Sequence, residues 1–446
     1  MSEAQPIHVV IVGGGFAGVG CAKRLAGELH VRVTLIDKNG YHQFQPLIYQ
    51  VATAELIGDD IAFKHSDIFE HHHNIDARQA EVTSIDPHAR SVNLADGSTV
   101  AGDVLVLTAG ADPEFFHVPG AEEHAYPLYS LADARRVRAR VIQIFQDVAA
   151  NPKLIDEGAL NFVIVGAGPT GVEFAGALSE LIHDVMPKLY GNLDVSLAKV
   201  IVVDRGHAVL NAFSESAHAY AAKQLDHREV KVLLGSGVTE VARDHVKLED
   251  GSTVATHLTV WGGGEKAAPV IETSGVDVGH GGRVTVDEFL QVPGFPGVYA
   301  AGDAANVPDG HGGVFPQLGS VAQQSGDWVG RNILAEMNKE QPMAFRYHDK
   351  GIMAMIGRRA AVAEIGEHRH ELHGRVAFAA WLGVHAALLS NIGAEMHAFM
   401  AWAEDFYVRP HHRSAALLNP DQINAPRIKW ARPPSAPPPD PHDDSE

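Results

Sequence analysis

The chain has 446 residues, 46% hydrophobic and 20% charged, with 55 acidic side chains against 35 basic ones and a formal net charge of −20. That length exceeds one ordinary core and suggests about three domains. The acidic balance excludes nucleic acid as a partner and excludes attachment to anionic lipid by charge, so any membrane contact must be apolar.

A single cysteine, Cys21, can form neither an internal disulfide nor a CxxC redox pair. Residues 1–5 show neither the basic nor the apolar stretch of a secretory signal. The first periodic element is the β-branched run Ile7 to Val12, the pattern of a strand buried on both faces of a parallel sheet. A glycine turn follows at once. In Gly13-Gly14-Gly15-Phe16-Ala17-Gly18, Gly13 allows the strand-to-helix turn, Gly15 admits a pyrophosphate to the backbone, and Gly18 lets the next helix pack closely. A helical run and a second strand, Val31 to Ile36, end in Asp37, placed to accept a hydrogen bond from a ribose hydroxyl. Strand, glycine turn, helix, strand and terminal acid together make a dinucleotide-binding unit, with phosphates at the helix N-terminus.

The following stretch, Asn39 to Ala52, has neither strand nor helix period and is rich in aromatics and amides. It reads either as the lining of a planar ring or as a surface-packing loop. His71-His72-His73 reads as a solvated run, because three consecutive side chains cannot face one ion on a regular element. Residues 80–86 and 91–94 form a predicted two-stranded hairpin closed by Asp96-Gly97. The strand 103–107 then runs into Thr108-Ala109-Gly110, small enough for a nucleotide to lie against the backbone.

After a predicted helix over 131–148 the opening unit recurs. Asn161 to Val165 leads into Gly166-Ala167-Gly168-Pro169-Thr170-Gly171, a helix over 172–183, a loop over 186–192, and a strand over 199–203 ending in Asp204. A hairpin, an Asp-Gly turn (Asp250-Gly251), a strand and the small-residue turn Gly262-Gly263-Gly264 repeat the later parts as well. Two complete fingerprints imply two dinucleotides.

The two glycine units, Thr108-Ala109-Gly110, and the segment Gly297-Val298-Tyr299-Ala300-Ala301-Gly302-Asp303-Ala304 together resemble the two-dinucleotide flavoprotein superfamily. The resemblance implies an α/β fold of two Rossmann-like dinucleotide-binding domains, one for FAD and one for NAD(P)H, followed by a C-terminal, partly helical segment. FAD would be held by Gly13, Gly15, Gly18, Asp37, Val82, Ala109, Gly110, Gly302 and Asp303. The nicotinamide cofactor would be held by Gly166, Gly168, Gly171, Asp204 and Gly264. Asp204 suits the free 2′-hydroxyl of NADH, while Arg205 beside it leaves NADPH open. The cysteine count excludes the disulfide reductases and sulfide:quinone oxidoreductases of the superfamily.

Three segments, 44–53, 168–178 and 351–358, more narrowly resemble type II NADH:quinone oxidoreductases, non-pumping enzymes that sit on one membrane face. That resemblance places Glu173 near the nicotinamide and quinone side of the flavin, and sets Gln324 where the family has the second of two quinone-side glutamines. Ser320 stands where the first glutamine is expected. The catalytic candidates are therefore Glu173, Gln324 and Ser320, with NADH and a quinone as partners and no metal. A soluble reductase feeding a small iron–sulfur protein and a non-enzymatic flavin redox sensor are the rival readings.

Residues 376–394 carry no formal charge, and a helix there places Phe378, Trp381, Leu382, His385 and Leu388 on one stripe with small residues opposite. The pattern fits an in-plane anchor with Trp402, Phe406 and Tyr407 as interfacial aromatics, or a helix packed on the protein or across a dimer; the resemblance favours the membrane surface. The expected division is an FAD domain over 1–120 and 285–345, an NAD(P)H domain over 121–284, a C-terminal domain over 346–430, and a disordered Pro-rich tail over 431–446. The protein is expected at the cytoplasmic side of the cell membrane, peripherally attached and homodimeric.

Overall fold

The run Ile7–Val12 forms the middle strand of a five-stranded sheet in the computed structural model, which describes residues 5–366 and 368–388 together with Trp402 and Leu418. The spatial order is Val298–Ala300, Val104–Leu107, Ile7–Val12, Val31–Asp37, Ile75–Gln79, and every pairing is parallel. Val9, Val10, Ile11, Val33 and Leu105 to Leu107 are almost wholly buried, because helices cover both faces of a parallel sheet.

A second sheet repeats the plan. Its order is Ala125–Pro127, Leu258–Trp261, Asn161–Val165, Lys199–Asp204, Val230–Leu234, again all parallel. The edge strand comes from the far end of the chain in the first sheet and from before the glycine turn in the second. Between the sheets the chain crosses through Ala111–Pro113 and returns through Glu265–Ala267, and these two strands pair antiparallel.

The two small sheets differ from the expected hairpins. Each has three strands: Val82–Asp86, Ser91–Leu94 and Thr99–Ala101 in the first unit, and Val238–Val241, His245–Leu248 and Thr253–Ala255 in the second. Asp96-Gly97 therefore joins the second strand to a third, and does not close the first two. A strand of three residues carries too short an alternation to be read from sequence.

Helix Leu131–Ala150 starts at a capping box in which the Asp133 N–H donates to Ser130 Oγ at 3.1 Å and the Ser130 N–H donates to Asp133 Oδ2 at 2.8 Å. The helix of the second unit runs over Pro169–Glu180 and continues into a π turn, Leu181–Val185, and a short helix, Met186–Leu189. The expected loop over 186–192 is thus helical in its first half, and this extra turn accounts for the long interval to Asp204. The aromatic stretch after Asp37 is also more regular than expected, with a strand Tyr41–Gln43 and a helix Ile48–Ala52. Phe44, Leu47, Ile48, Tyr49 and Val51 are buried, which rules out a surface loop.

Beyond residue 345 the chain adds an antiparallel sheet of Gly351–Gly357, Ala360–Ile365 and His370–His373, with helix Arg375–Leu388 packed on it. Most of the expected stripe faces the protein and not lipid: Phe378, Trp381 and His385 are buried and Leu382 is half-buried, whereas the last member, Leu388, is exposed together with Val376 and Val384. Trp402, expected as an interfacial aromatic, is buried and donates to Gln50 Oε1 at 2.9 Å. The rings of Phe378, Trp381 and His385 fill the gap above the sheet, and Val376, Ala379, Gly383, Val384 and Leu388 are left facing outward. The expectations for residues 389–394, Phe406, Tyr407 and the tail lie outside the described residues.

Candidate active site

At the first glycine turn Gly13 has φ of +101°, and a Cβ there would lie 2.1 Å from the Thr108 carbonyl oxygen. A Cβ on Gly18 would lie 1.8 Å from the Gly13 carbonyl oxygen, so the helix rests directly on the turn. Gly15 is the opposite case, with no atom within 4 Å of that position. Gly15 also begins helix Phe16–Leu25 without a side-chain cap, which leaves the first N–H groups for a phosphate. Asp37 closes the turn, accepting from the Gly14 N–H and the Asn39 N–H, each at 2.6 Å. Burial pushes its pKa up, and the two N–H groups oppose that.

This turn opens on a cleft of about 1400 Å³. Gly13, Gly15, Asp37, Ala109, Gly110 and Asp303 all line it. Six of the nine FAD-site candidates are thereby brought to one cavity. Gly18 and Gly302 pack behind it, and Val82 begins its small sheet outside the lining. Burial raises the Asp303 carboxyl to about 6 against the opposing Arg283 guanidinium. Burial and the nearby Asp303 raise Glu265 to about 8. An elongated cleft with open N–H donors at a helix start and a small-residue wall opposite fits FAD.

The second turn copies the first. Gly166 has φ of +107°, and a Cβ there would lie 2.5 Å from the Gly262 carbonyl oxygen. A Cβ on Gly171 would meet the Gly166 carbonyl oxygen at 1.9 Å, while Gly168 has nothing within 4 Å. Asp204 accepts from the Ala167 N–H and the Gly206 N–H, both at 2.6 Å. None of these residues lines the large cleft. Gly264, with φ of +157°, sits under the Phe116 ring, and its carbonyl accepts from the Glu114 N–H at 2.9 Å, at the crossing between the units.

Glu173 lies in the helix behind the second turn and is buried. Its Oε1 accepts from the Met355 N–H at 3.0 Å, which ties the helix to strand Gly351–Gly357. Burial lifts its pKa to about 8; the Met355 N–H and the adjacent Trp381 indole pull the other way. Ser320 and Gln324 sit at the start of helix Gly319–Met337. Ser320 Oγ shares a 2.8 Å hydrogen bond with Tyr347 OH. The Gln324 amide is used at both ends on His348, donating to its carbonyl at 3.0 Å and accepting from its N–H at 2.9 Å. Among the described residues no hydrogen bond joins Glu173 to either of them; the link is the chain itself, since 347–348 leads into the strand that holds Glu173.

Sequence reasoning missed several residues. His65 Nε2 and His42 Nδ1 both donate to the Gly14 carbonyl, at 2.9 and 3.3 Å, and so fix the phosphate turn from behind. Burial pushes His42 down to about 4, so it serves as a neutral donor. Around Glu173 stand Tyr49, whose hydroxyl lies 3.4 Å from Met355 Sδ, and the stacked pair Trp381–His385 with ring centroids 4.0 Å apart. The aromatic and amide content of residues 41–50 was the visible signal for this cluster; its partners 300 residues away were not.

Comparison with known proteins gives consistent results. Residues 7–326 match the pyridine nucleotide-disulphide oxidoreductase family model. The chain is 32% identical over 422 residues to the type II NADH:quinone oxidoreductase Ndh of Mycobacterium tuberculosis, covering 90% of this chain and 89% of that one. It is 26% identical over 386 residues to the type II NADH:quinone oxidoreductase of Haemophilus influenzae, covering 80% and 87%. Among solved structures, NDH2 of Plasmodium falciparum in complex with NADH superposes with a TM-score of 0.82 at 18% identity, covering 91% of this chain and 99% of that one. Sulfide:quinone oxidoreductase of Aquifex aeolicus superposes with a TM-score of 0.71 at 20% identity, covering 91% and 96%, and shares the fold.

Proposed function

The chain belongs to the pyridine nucleotide-disulphide oxidoreductases and, within them, to the type II NADH:quinone oxidoreductases, and we propose that it carries two electrons from NADH to a quinone through FAD bound at the first glycine turn. The observation that carries this reading is the pair of matching turns with unequal surroundings. The first faces a cleft of about 1400 Å³, large enough for a resident cofactor, and the second lies outside that cleft, suited to a substrate that comes and goes. The division into an FAD unit (1–120 and 285–345), an NAD(P)H unit (121–284) and a C-terminal unit (346–430) is part of this proposal.

Bound there, FAD would supply the two-electron chemistry between NADH and the quinone. The residues supply position and protons. Gly15 and the uncapped helix start take the pyrophosphate, Asp37 takes a ribose hydroxyl, and Asp303 meets the ribityl or pyrophosphate region. Gly166, Gly168, Gly171 and Asp204 do the same for NADH, with Gly264 at the crossing. Ala109 and Gly110 would complete the FAD wall, with Gly18 and Gly302 packed behind it, while Val82 stays outside the cleft lining. Glu173, with a pKa near 8, holds a proton at neutral pH in a site that excludes water, and delivers it as the quinone takes up charge. With Oε1 accepting the Met355 N–H, the proton belongs on Oε2. Ser320 and Gln324 act as positioning residues, bolting the helix start to the segment that leads to Glu173.

Attachment to the cytoplasmic side of the membrane as a homodimer completes the reading. It is supported by the exposed Val376, Val384 and Leu388; no helix among the described residues is long and apolar enough to cross a membrane. The test is NADH oxidation by FAD-loaded protein with a soluble short-chain quinone, with a ferredoxin, and with no acceptor. Fast quinone-dependent turnover is the expected result. Flavin reduction by NADH without reoxidation by quinone overturns the reading.

A further inference from the structure

Arg205 directly follows Asp204 at the C-terminal end of strand Lys199–Asp204, where the ribose of a bound nicotinamide cofactor would lie. A cation there favours the 2′-phosphate of NADPH only if its guanidinium is free to turn to it. In this structure it is engaged: Arg205 Nε and Nη2 meet Glu249 Oε1 at 2.9 and 2.8 Å. Glu249 is fixed in turn by the backbone, because its Oε2 accepts from the Gly237 N–H at 2.9 Å and its own N–H donates to the Gly237 carbonyl at 2.9 Å. The carboxylate is therefore held by the main chain and holds the arginine. The Gly237 N–H and Arg205 keep its pKa below the usual carboxylate range, so it stays charged. The pair lies flat on bare backbone. A Cβ on Gly237 would stand 2.9 Å from both Arg205 Nε and Glu249 Oε1. The neighbouring Ser236 N–H donates to the Asp204 carbonyl at 3.2 Å, which joins Asp204, Arg205 and Glu249 into one corner of the second unit.

We propose that Glu249 is a specificity-determining residue that selects NADH over NADPH by claiming the Arg205 guanidinium and placing a second carboxylate beside Asp204. The proposal rests on the reading that the second glycine turn binds NADH. The corner carries two carboxylates and one guanidinium, a net charge of −1, and a 2′-phosphate would bring up to two further negative charges into it. A free 2′-hydroxyl brings none and can donate to Asp204. Arg205, which by sequence alone leaves NADPH open, is thereby turned to the opposite use.

Equilibrium binding of NADH and NADPH to FAD-loaded protein, followed without turnover, tests this, with the ratio of the two dissociation constants as the readout. In Glu249→Gln the ratio of Kd for NADPH to Kd for NADH is expected to fall about tenfold, a modest value because the pair is partly exposed and screened. Arg205→Ala combined with Glu249→Gln should restore the wild-type ratio, since no cation is left to receive the phosphate. Gly237→Ala, which displaces the pair without removing a charge, should move the ratio in the same direction as Glu249→Gln by a smaller factor. An unchanged ratio in Glu249→Gln overturns the proposal, as does a gain that survives the loss of Arg205. Gly168→Val is the separate control: it should lose both nicotinamide cofactors while retaining bound FAD. If it still binds NADH like the wild type, the second-site reading itself fails, whatever Glu249 does.

Discussion

Glu173 differs from an ordinary helix-start glutamate because its carboxyl is out of water and the Met355 N–H and the Trp381 indole offset that burial only in part. With a pKa raised from 4.5 to about 8, the folded chain keeps a proton there that the unfolded chain releases. Stability from this group is therefore present below about pH 4.5 and lost as pH rises toward 8, at no more than about 1.4 kcal/mol per pH unit. Glu173→Gln keeps the shape and the acceptor for Met355 but has no proton to lose. Its melting temperature should gain on the wild type steadily between pH 5 and 8, and parallel pH profiles would refute the raised pKa. The same variant should reduce quinone turnover by about a hundredfold or more while leaving the NADH-driven half-reaction fast, because general-acid help is worth at least roughly that factor. Stopped-flow separation of the two half-reactions measures it.

The histidines behind the phosphate turn make a second residue-scale case. His65→Leu removes the 2.9 Å donor from the buried Gly14 carbonyl and should weaken FAD retention by about tenfold, read from flavin released on dialysis. Retention equal to the wild type would show that His42 alone holds the turn. Neither histidine was legible in sequence, where Asp37 and Asp204 were. Each acid ends the strand that follows its glycine turn and so is marked by the strand pattern, whereas His65 reaches Gly14 across 51 positions. Glu249 was hidden likewise, 44 positions from Arg205.

Among elements, the strand–turn–helix units repeated in sequence agree with the structure, while the small sheets, also repeated, each carry a third strand too short to show an alternation. The strands Ile7–Val12 and Asn161–Val165, the helices behind them and the terminal acids obey one geometric plan, so each copy supports the other. Two further differences depend on distant packing. Helix Ile48–Ala52 has five residues, too few for a helical period, and is held by what lies over it. Gln50, within it, is fully buried, and its Oε1 is the acceptor for Trp402 at 2.9 Å. The sequence of helix Arg375–Leu388 is two-faced, but which face meets protein is decided by Phe44 against His385 and Trp402 against Trp381, Phe44 lying far away in sequence. Gln50→Leu should cost about 1–3 kcal/mol by stranding the buried indole N–H, and so lower the apparent melting temperature. A neutral effect would mean that Trp402 finds another acceptor.

At the scale of the whole molecule, the two parallel sheets each carry a glycine turn closed by an acid, and the C-terminal sheet closes over the helix that bears Glu173. A net charge of −20 means that a surface of anionic lipid repels the chain, so attachment must come from apolar contact strong enough to overcome it. Val376, Val384 and Leu388 are the exposed bulky residues of the described part of the last helix, with Val376 64% exposed. Binding to neutral phosphatidylcholine vesicles should accordingly resist added salt, and binding to anionic vesicles should strengthen with it as repulsion is screened. The double change Val384→Asp with Leu388→Asp adds two charges to that face without touching the buried stripe of Phe378, Trp381 and His385. It should therefore release the protein from vesicles in a sedimentation assay while turnover with a soluble quinone continues. Release of the wild type by salt would point to a basic patch as the anchor, and unchanged sedimentation of the double variant would place the contact on a different face of the molecule.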